Sequence, residues 1–470
     1  MDLVAYPDVF AVKFRKFVSQ SPPVSASEAD IAAIVVAGMA HCAGDRTNYG
    51  GAVCVRDGAL WAYSGVKYVW REVPDSLVVS AIWLTDTLET TSGDVVHMTS
   101  RKAVGVLSAA KHIIDLNLPY LWNSAPIGVP FANRFVRLDE TGRLVAEHHN
   151  PEHWTTETLP YAWDDRALCP KFMRFLDDLF RDDTDAPAKI AALQQFIGLC
   201  LVGAATRSQK CLVLLGGGAN GKSALLRVIE GLFPREAMSH LPPQEMTGFK
   251  LWSLEGKRIN IAGDIPKARL DELSVFKAIV TGDPVSVDRK YKDVAQLIPR
   301  AGHVFATNDP PTSESDFAEG YFRRFLFITF NRSFLDDPTR RDTDELVADL
   351  LTEAPGIIRL FMQGASDALR TGFVITPPPS HHEAAGSWRC DVDQVAEWKS
   401  ERTEPPMPSD FESYERIYAD YGERWVNDSG RKRLSKRMFL SRLRGLGFRE
   451  VRSGKHGTKG LNIRIRMTNQ

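Results

Sequence analysis

Residues Cys211–Phe233, CLVLLGGGANGKSALLRVIEGLF, decide how the chain is read. Five apolar residues, Cys211 to Leu215, have the length and composition of a buried parallel strand. Gly216-Gly217-Gly218-Ala219-Asn220-Gly221-Lys222-Ser223 follows, and then apolar residues recur at Leu225, Leu226, Val228, Ile229 and Leu232, a helical spacing. The central eight fit G-x-x-x-x-G-K-[ST] between strand and helix, as that motif demands. A loop this rich in glycine can turn backbone N–H groups onto an anion, and the helix start adds the positive end of its dipole. In such a site Lys222 reaches the β- and γ-phosphates and the Ser223 hydroxyl ligates Mg²⁺. Gly216 through Ser223, with Ala224 in the first helical turn, is therefore expected to bind ATP and Mg²⁺. The competing reading is a fortuitous glycine-rich turn, whose chance occurrence in a chain this long is on the order of one in a hundred.

The 470 residues, 44% hydrophobic and 25% charged, suit a soluble protein of roughly two to four domains with a large core. Six scattered cysteines form no C-x-x-C pair, which indicates neither zinc nor a disulfide framework and fits a reducing cytoplasm. The start, MDLVAYPDVFAVKFRKF, has no apolar signal core, and Ile31–Ala40 is too short to span a bilayer, so neither secretion nor a membrane is expected. Net charge is −1, but residues 431–470 hold thirteen Lys/Arg against one acid, Glu450. A basic module on an acidic body suggests a polyanion-binding end; a merely solvated basic tail is the alternative.

Downstream of the loop the chemistry continues in order. Lys257–Asp264, KRINIAGD, is a strand ending in a carboxylate, as needed to hold Mg²⁺ or polarise water. Val285–Asp293, VSVDRKYKD, reads as a hairpin arm with Arg289, Lys290 and Lys292 near an aromatic at its tip, suited to a passing nucleic-acid strand or to a solvated basic turn. Gly302–Pro311, GHVFATNDPP, is an apolar strand ending in Asn308, whose amide can orient water against a γ-phosphate or simply form the turn. Tyr321–Phe330, YFRRFLFITF, sets Arg323 and Arg324 at the mouth of a buried strand, either as a structural ion pair or as a finger reaching a neighbour's γ-phosphate.

The series GGGANGKS, RINIAGD, FKAIVTGD, VSVDRKYKD, HVFATNDPP and YFRRFLFITF resembles superfamily 3 helicases of the phage/plasmid primase and poxvirus primase-helicase type, over roughly residues 120–340. The stretch from Phe131 to Phe180 is similar to the domain that precedes the ATPase in that family. The resemblance implies an AAA+-like P-loop core in which Lys222 and Ser223 are the Walker A pair and Asp264 the Walker B acid. By the same resemblance Asn308 is the sensor, Arg323 or Arg324 the finger, and Arg289, Lys290 and Lys292 the pore hairpin on single-stranded DNA. It further implies a hexameric ring translocating 3′ to 5′ during replication of a phage, plasmid or related element, in a bacterial cytoplasm. The chain departs from the pattern at Gly263-Asp264, where many relatives carry Glu or two adjacent acids; Asp271 or Glu272 is the candidate helper. The first 120 residues show no spaced Asp-x-Asp pair for two-metal polymerisation, and primer synthesis is not expected.

The expected architecture is α/β. An α+β N-terminal domain (1–120) and a pre-ATPase region (121–185) precede the P-loop domain (186–375), a proline-marked linker (376–408) and a basic winged-helix domain (409–470). In the last, Leu434–Leu446 alternates an inward face (Phe439, Leu440, Leu443) with outward Arg437, Arg442 and Arg444. Leu461, Ile463 and Ile465 alternate against Arg464 and Arg466 on a hairpin strand. Helix, helix and basic hairpin resembles a winged helix, so Arg437, Arg442, Arg444 and Arg464 are candidate duplex contacts. The rival function is a DNA-binding NTPase switch, an initiator or defence factor that assembles on DNA without unwinding it.

Overall fold

The computed structural model describes residues 7–43, 53–56, 58–65, 67–117, 125–263, 273–289, 292–308, 319–338, 340–429, 432–453 and 458–466. The chain divides into two compact units, Met1–Ala167 and Leu168–Gln470. The boundary thus falls inside the expected pre-ATPase region and not at residue 120.

In the first unit, helices α1 (Pro7–Ser19) and α2 (Glu28–Ala43) are followed by an antiparallel sheet of β1 (Val53–Arg56), β2 (Ala59–Ser64) and β3 (Val69–Val73). Helices α3 (Asp75–Trp83) and α4 (Ser100–Asn117) complete it, around a core that includes Phe10, Phe14, Val35, Met39, Leu60, Ile82 and Val106. Helix α3 starts at Asp75 for a local reason. Pro74 fixes the backbone at its N-cap and Asp75 favours its first turn, while Leu84–Thr87 tightens into a 3₁₀ turn. A second antiparallel sheet, β4 (Gly128–Pro130), β5 (Phe135–Leu138) and β6 (Leu144–Glu147), ends this unit.

The second unit opens with α5 (Pro170–Leu179) and α6 (Ala186–Leu201), each with proline in its first turn. Then come β7 (Cys211–Leu215), α7 (Lys222–Leu232), β8 (Met238–Ser239), β9 (Ile259–Ala262), α8 (Leu273–Thr281), β10 (Val285–Arg289), β11 (Lys292–Leu297), β12 (Gly302–Thr307), α9 (Glu319–Phe322) and β13 (Phe325–Thr329). Five strands form one parallel sheet in the order β13-β7-β12-β9-β8. Strands β7, β9 and β12 are buried throughout or nearly so, the pattern of a sheet covered on both faces. From β7 the chain leaves for one edge of this sheet and from β12 for the other, so their adjacent carboxyl ends form a topological switch point, where such sheets hold ligands.

Helices α10 (Thr343–Leu351) and α11 (Ala354–Arg370) follow. A Cβ on Gly198 would lie 2.0 Å from the Phe361 carbonyl oxygen, and one on Gly364 would lie 2.4 Å from the Gln194 backbone; glycine at both positions is what lets α6 and α11 pack this closely.

The expected linker is a correction. Residues 376–408 hold two helices, α12 (Pro379–Val392) and α13 (Gln394–Arg402). Trp388 of α12 is buried against Tyr321, Phe325 and Phe327, and Phe327 N–H donates to His381 Nδ1 at 3.1 Å, which occupies the open edge of β13. The prolines mark a helix start, which tolerates them, and no break in the core. Helix α13 belongs to the C-terminal module, which therefore begins ahead of residue 409: Val395 and Trp398 share a core with Ile417, Tyr421, Phe439, Leu443 and Leu461.

That module continues through β14 (Thr403–Glu404), β15 (Glu412–Ser413) and α14 (Tyr414–Ala419). A π-helical turn, Asp420–Trp425, carries α14 into α15 (Val426–Ser429); α16 (Lys436–Gly445), β16 (Glu450–Ser453), β17 (Thr458–Leu461) and β18 (Arg464–Ile465) follow. Its small sheet has the order β15-β17-β16. The Asp420 carboxylate accepts from Trp398 Nε1 at 2.9 Å and from Arg402, tying α13 to the π turn.

Candidate functional site

Strand β7 ends at Leu215 and hands the chain to the glycine loop, which two backbone bonds anchor: Gly216 N–H donates to Thr307 O and Phe330 N–H to Leu215 O. Ala219 has φ +55° and Gly221 φ +83°, so the loop turns through two left-handed positions. Ala219 carries that strain without glycine's freedom and is held by Phe334 N–H, which donates to its carbonyl at 2.7 Å. Gly217 and Gly218 are required by neither packing nor a positive φ, since a Cβ on either meets nothing within 4 Å. Gly218 lines the open side of the loop together with the residues from Ala219 to Ala224. Gly221 is the N-cap of α7, and Ser223 lies exposed in the first turn beside buried Ala224.

Lys222 is buried, with 7% of its surface exposed. Its ammonium donates to Gly216 O, to Gly217 O at 3.0 Å, to Asn220 Oδ1 at 3.1 Å and to Asn308 Oδ1 at 3.4 Å. An ammonium among loop carbonyls and backbone N–H groups is a donor set for an anion. Asn308, at the end of β12, thus stands beside the loop lysine. Asp264, Asp271, Glu272 and Lys290 lie outside the described residues, as does the side chain of Lys292. Gly263, the residue before Asp264 in sequence, follows β9, and β9 is two strands from β7 with β12 between.

A cavity of about 1120 Å³ opens from the loop. Besides the glycine loop and Asn308, its walls come from α5, from the segment after β13 and from α10. None of the residues from those three was legible as a site residue. Lys171 and Arg341 share the Asp349 carboxylate at 2.5 and 3.0 Å, and these two hydrogen bonds hold its pKa below the usual carboxylate value. Arg332 bonds Asp178 and Asp337 while its guanidinium lies 4.4 Å from the Phe334 ring centroid. No periodicity marks 331–341; the only hint was the pair Arg340-Arg341 just past an Asp-Asp-Pro turn.

The two arginines before β13 separate sharply. Arg324 is buried, donates to Gln209 Oε1 at 2.7 Å, and is depressed in pKa by burial and by the Arg323 charge. Arg323 is exposed, its carbonyl accepting from Lys210 Nζ. Phe325 pairs with Cys211, so both arginines sit at the sheet end opposite the loop, about 13 Å away along β7.

Strands β10 and β11 form the expected hairpin arm, with Arg289 opposite Lys292 and a bulge between Val287 and Arg289. The Arg289 guanidinium lies 5.1 Å over the Trp252 ring. In the C-terminal module Arg437 is exposed, but three expected DNA contacts have protein partners. Arg442 reaches Asp393 at 3.4 Å and is largely covered, Arg444 bonds Glu450 and Tyr414, and Arg464 lies 3.3 Å from Glu404. Arg442 in particular faces inward against α13, which helical periodicity alone had no means to reveal.

Residues 46–181 match a family model described as D5 N terminal like, and residues 214–324 match a family of unknown function, DUF5906. The first match reaches well into the N-terminal 120 residues, which by sequence reading had no assignable role. Two apo structures of the NrS-1 C terminal region are similar at 12% identity and a TM-score of 0.45. The A form covers 89% of this chain and 97% of its own, the other 88% and 96%. Among the described residues no helix is long and apolar enough to cross a membrane.

Proposed function

We propose that this protein is an ATP-driven DNA helicase of the superfamily 3 kind, serving replication of a phage, plasmid or related element as a ring, hexameric by the family's habit. The observation that carries the reading is the meeting of Lys222 with Asn308 across the carboxyl ends of β7 and β12. Loop N–H groups and Lys222 would hold the phosphates, Ser223 and Asp264 the Mg²⁺, and Asn308 the attacking water. Positioning and fixed charge then carry the chemistry.

Arg323 fits a finger supplied to the next subunit, because it is exposed and lies too far from its own loop to act there. The basic run Arg289-Lys290-Tyr291-Lys292 between β10 and β11 suits one DNA strand. The order α13, β15, α14–α15, α16 and hairpin β16–β17 suits a winged helix on duplex DNA.

The test is ATP hydrolysis by the purified chain with and without single-stranded DNA, alongside strand displacement on a forked duplex, with Lys222→Ala as control. Stimulated turnover with displacement is expected. ATP-dependent assembly on DNA without displacement would instead establish the switch, and hydrolysis indifferent to DNA would remove both.

A further inference from the structure

We infer that Phe334 is the platform on which the base of a bound nucleotide stacks, gripping it by its face. The inference rests on the reading of Gly216–Ser223 as the triphosphate cradle.

Phe334 comes from the irregular segment after β13, yet it is fixed against the loop. Its N–H donates to the Ala219 carbonyl, and its Cε2 lies 3.7 Å from where a Cβ of Gly221 would stand. The Arg332 guanidinium covers one side of the ring at 4.4 Å from the centroid. Arg332 is itself locked: burial would depress its pKa, and hydrogen bonds to Asp178 and Asp337 outweigh that and raise it. The ring is therefore oriented before any ligand arrives, which lowers the ordering cost of binding.

The half-buried ring lines a cavity of about 1120 Å³, and a cavity that large accommodates a nucleoside beyond the phosphates. Stacking on an aromatic face tolerates every base, because each base has a π-face. The charged groups that fix the ring are committed to one another, Asp178 holding both Arg332 and Arg181.

The experiment is equilibrium binding of ATP, GTP, CTP and UTP with Mg²⁺, and of inorganic tripolyphosphate, to the full chain and to Phe334→Ala, Phe334→Leu and Phe334→Tyr. Phe334→Ala and Phe334→Leu should weaken all four nucleotides by roughly five- to hundredfold, the range that stacking supplies. Phe334→Tyr should retain them, and tripolyphosphate should be unaffected throughout. Unchanged nucleotide affinity in Phe334→Ala overturns the platform while leaving the phosphate cradle standing. A parallel loss of tripolyphosphate makes Phe334 a prop for the loop and also overturns it. Failure of the unmodified chain to bind either nucleotide or tripolyphosphate refutes the cradle itself.

Discussion

The Lys222 ammonium lies 3.4 Å from the Asn308 amide oxygen, although 86 residues separate the two in sequence. The register that pairs Thr307 with Leu215 brings them together, because it ends β12 and β7 at the same level. An ammonium and a side-chain amide therefore occupy one point at the carboxyl end of the sheet.

Lys222→Ala should abolish nucleotide hydrolysis without unfolding the chain, since the four oxygens it leaves, three on the glycine loop and one on Asn308, lie beside an open cavity. Asn308→Ala should lower kcat by about 10²- to 10³-fold with little change in KM, as for other groups that act on the attacking or developing charge. Steady-state kinetics on both variants checks this, and an Asn308→Ala defect confined to KM would count against the assignment.

Arg323→Ala and Arg324→Ala should fail differently. Arg324 is buried and bonded to Gln209, so its loss should cost about 1–3 kcal/mol of stability in a denaturant titration. Arg323 is exposed, so its loss should leave stability unchanged but reduce turnover by about 10³-fold or more if it serves a neighbour. Mixed with unmodified subunits, Arg323→Ala should poison activity out of proportion to its share.

Lys189 is fully buried on α6, 2.8 Å from Asp183 and 3.5 Å from Asp185, and it also donates to the Thr329 carbonyl and hydroxyl at the end of β13. Lys189→Met should destabilise the second unit by about 3–5 kcal/mol, because two poorly hydrated carboxylates lose their counter-charge. Adding Asp183→Asn should recover part of that, which urea unfolding of the single and double variants will show.

Acid should loosen the second unit well before its carboxylates protonate. Burial, with smaller contributions from the His382 and Lys210 charges, pushes His381 from 6.5 down to about 4. Burial alone takes His303 to about 4 as well. Below pH 6.5 the unfolded chain gains a proton that the native imidazole refuses until about pH 4, so native stability falls as pH drops across that window. The loss should be on the order of 1–3 kcal/mol per histidine. His381→Asn keeps an acceptor for Phe327 N–H without titrating and should flatten the pH dependence of the thermal midpoint between pH 5 and 7.5.

Arg452 and Lys459 are exposed and directly opposite each other on β16 and β17. Like charges so placed cost stability unless a polyanion neutralises them. Arg452→Ala and Lys459→Ala should each weaken DNA binding and reduce the salt slope by about 1, at no cost in folding. Arg442→Ala should instead destabilise the C-terminal module, since it strips the partner from Asp393, a residue with 2% exposure. Salt titrations of DNA affinity beside thermal melts separate the two.

What the sequence determined by itself is local. The strand, glycine loop and helix of Cys211–Phe233 sit within one continuous stretch, so hydrophobic period and loop chemistry revealed them without knowledge of any distant residue. Strands β9 and β12, the arm β10–β11 and the basic end were visible for the same reason. Tertiary structure decided what depends on contacts between remote segments. It brought Phe334 and Arg341 to the loop from an aperiodic stretch, and it buried Arg324 while exposing its neighbour. It also turned a proline-marked stretch into α12 and α13 by giving Trp388 and Trp398 cores to enter. Proline fixes only a backbone angle and a charge fixes only itself; whether either ends in a helix, an ion pair or a binding wall depends on what folding packs against it.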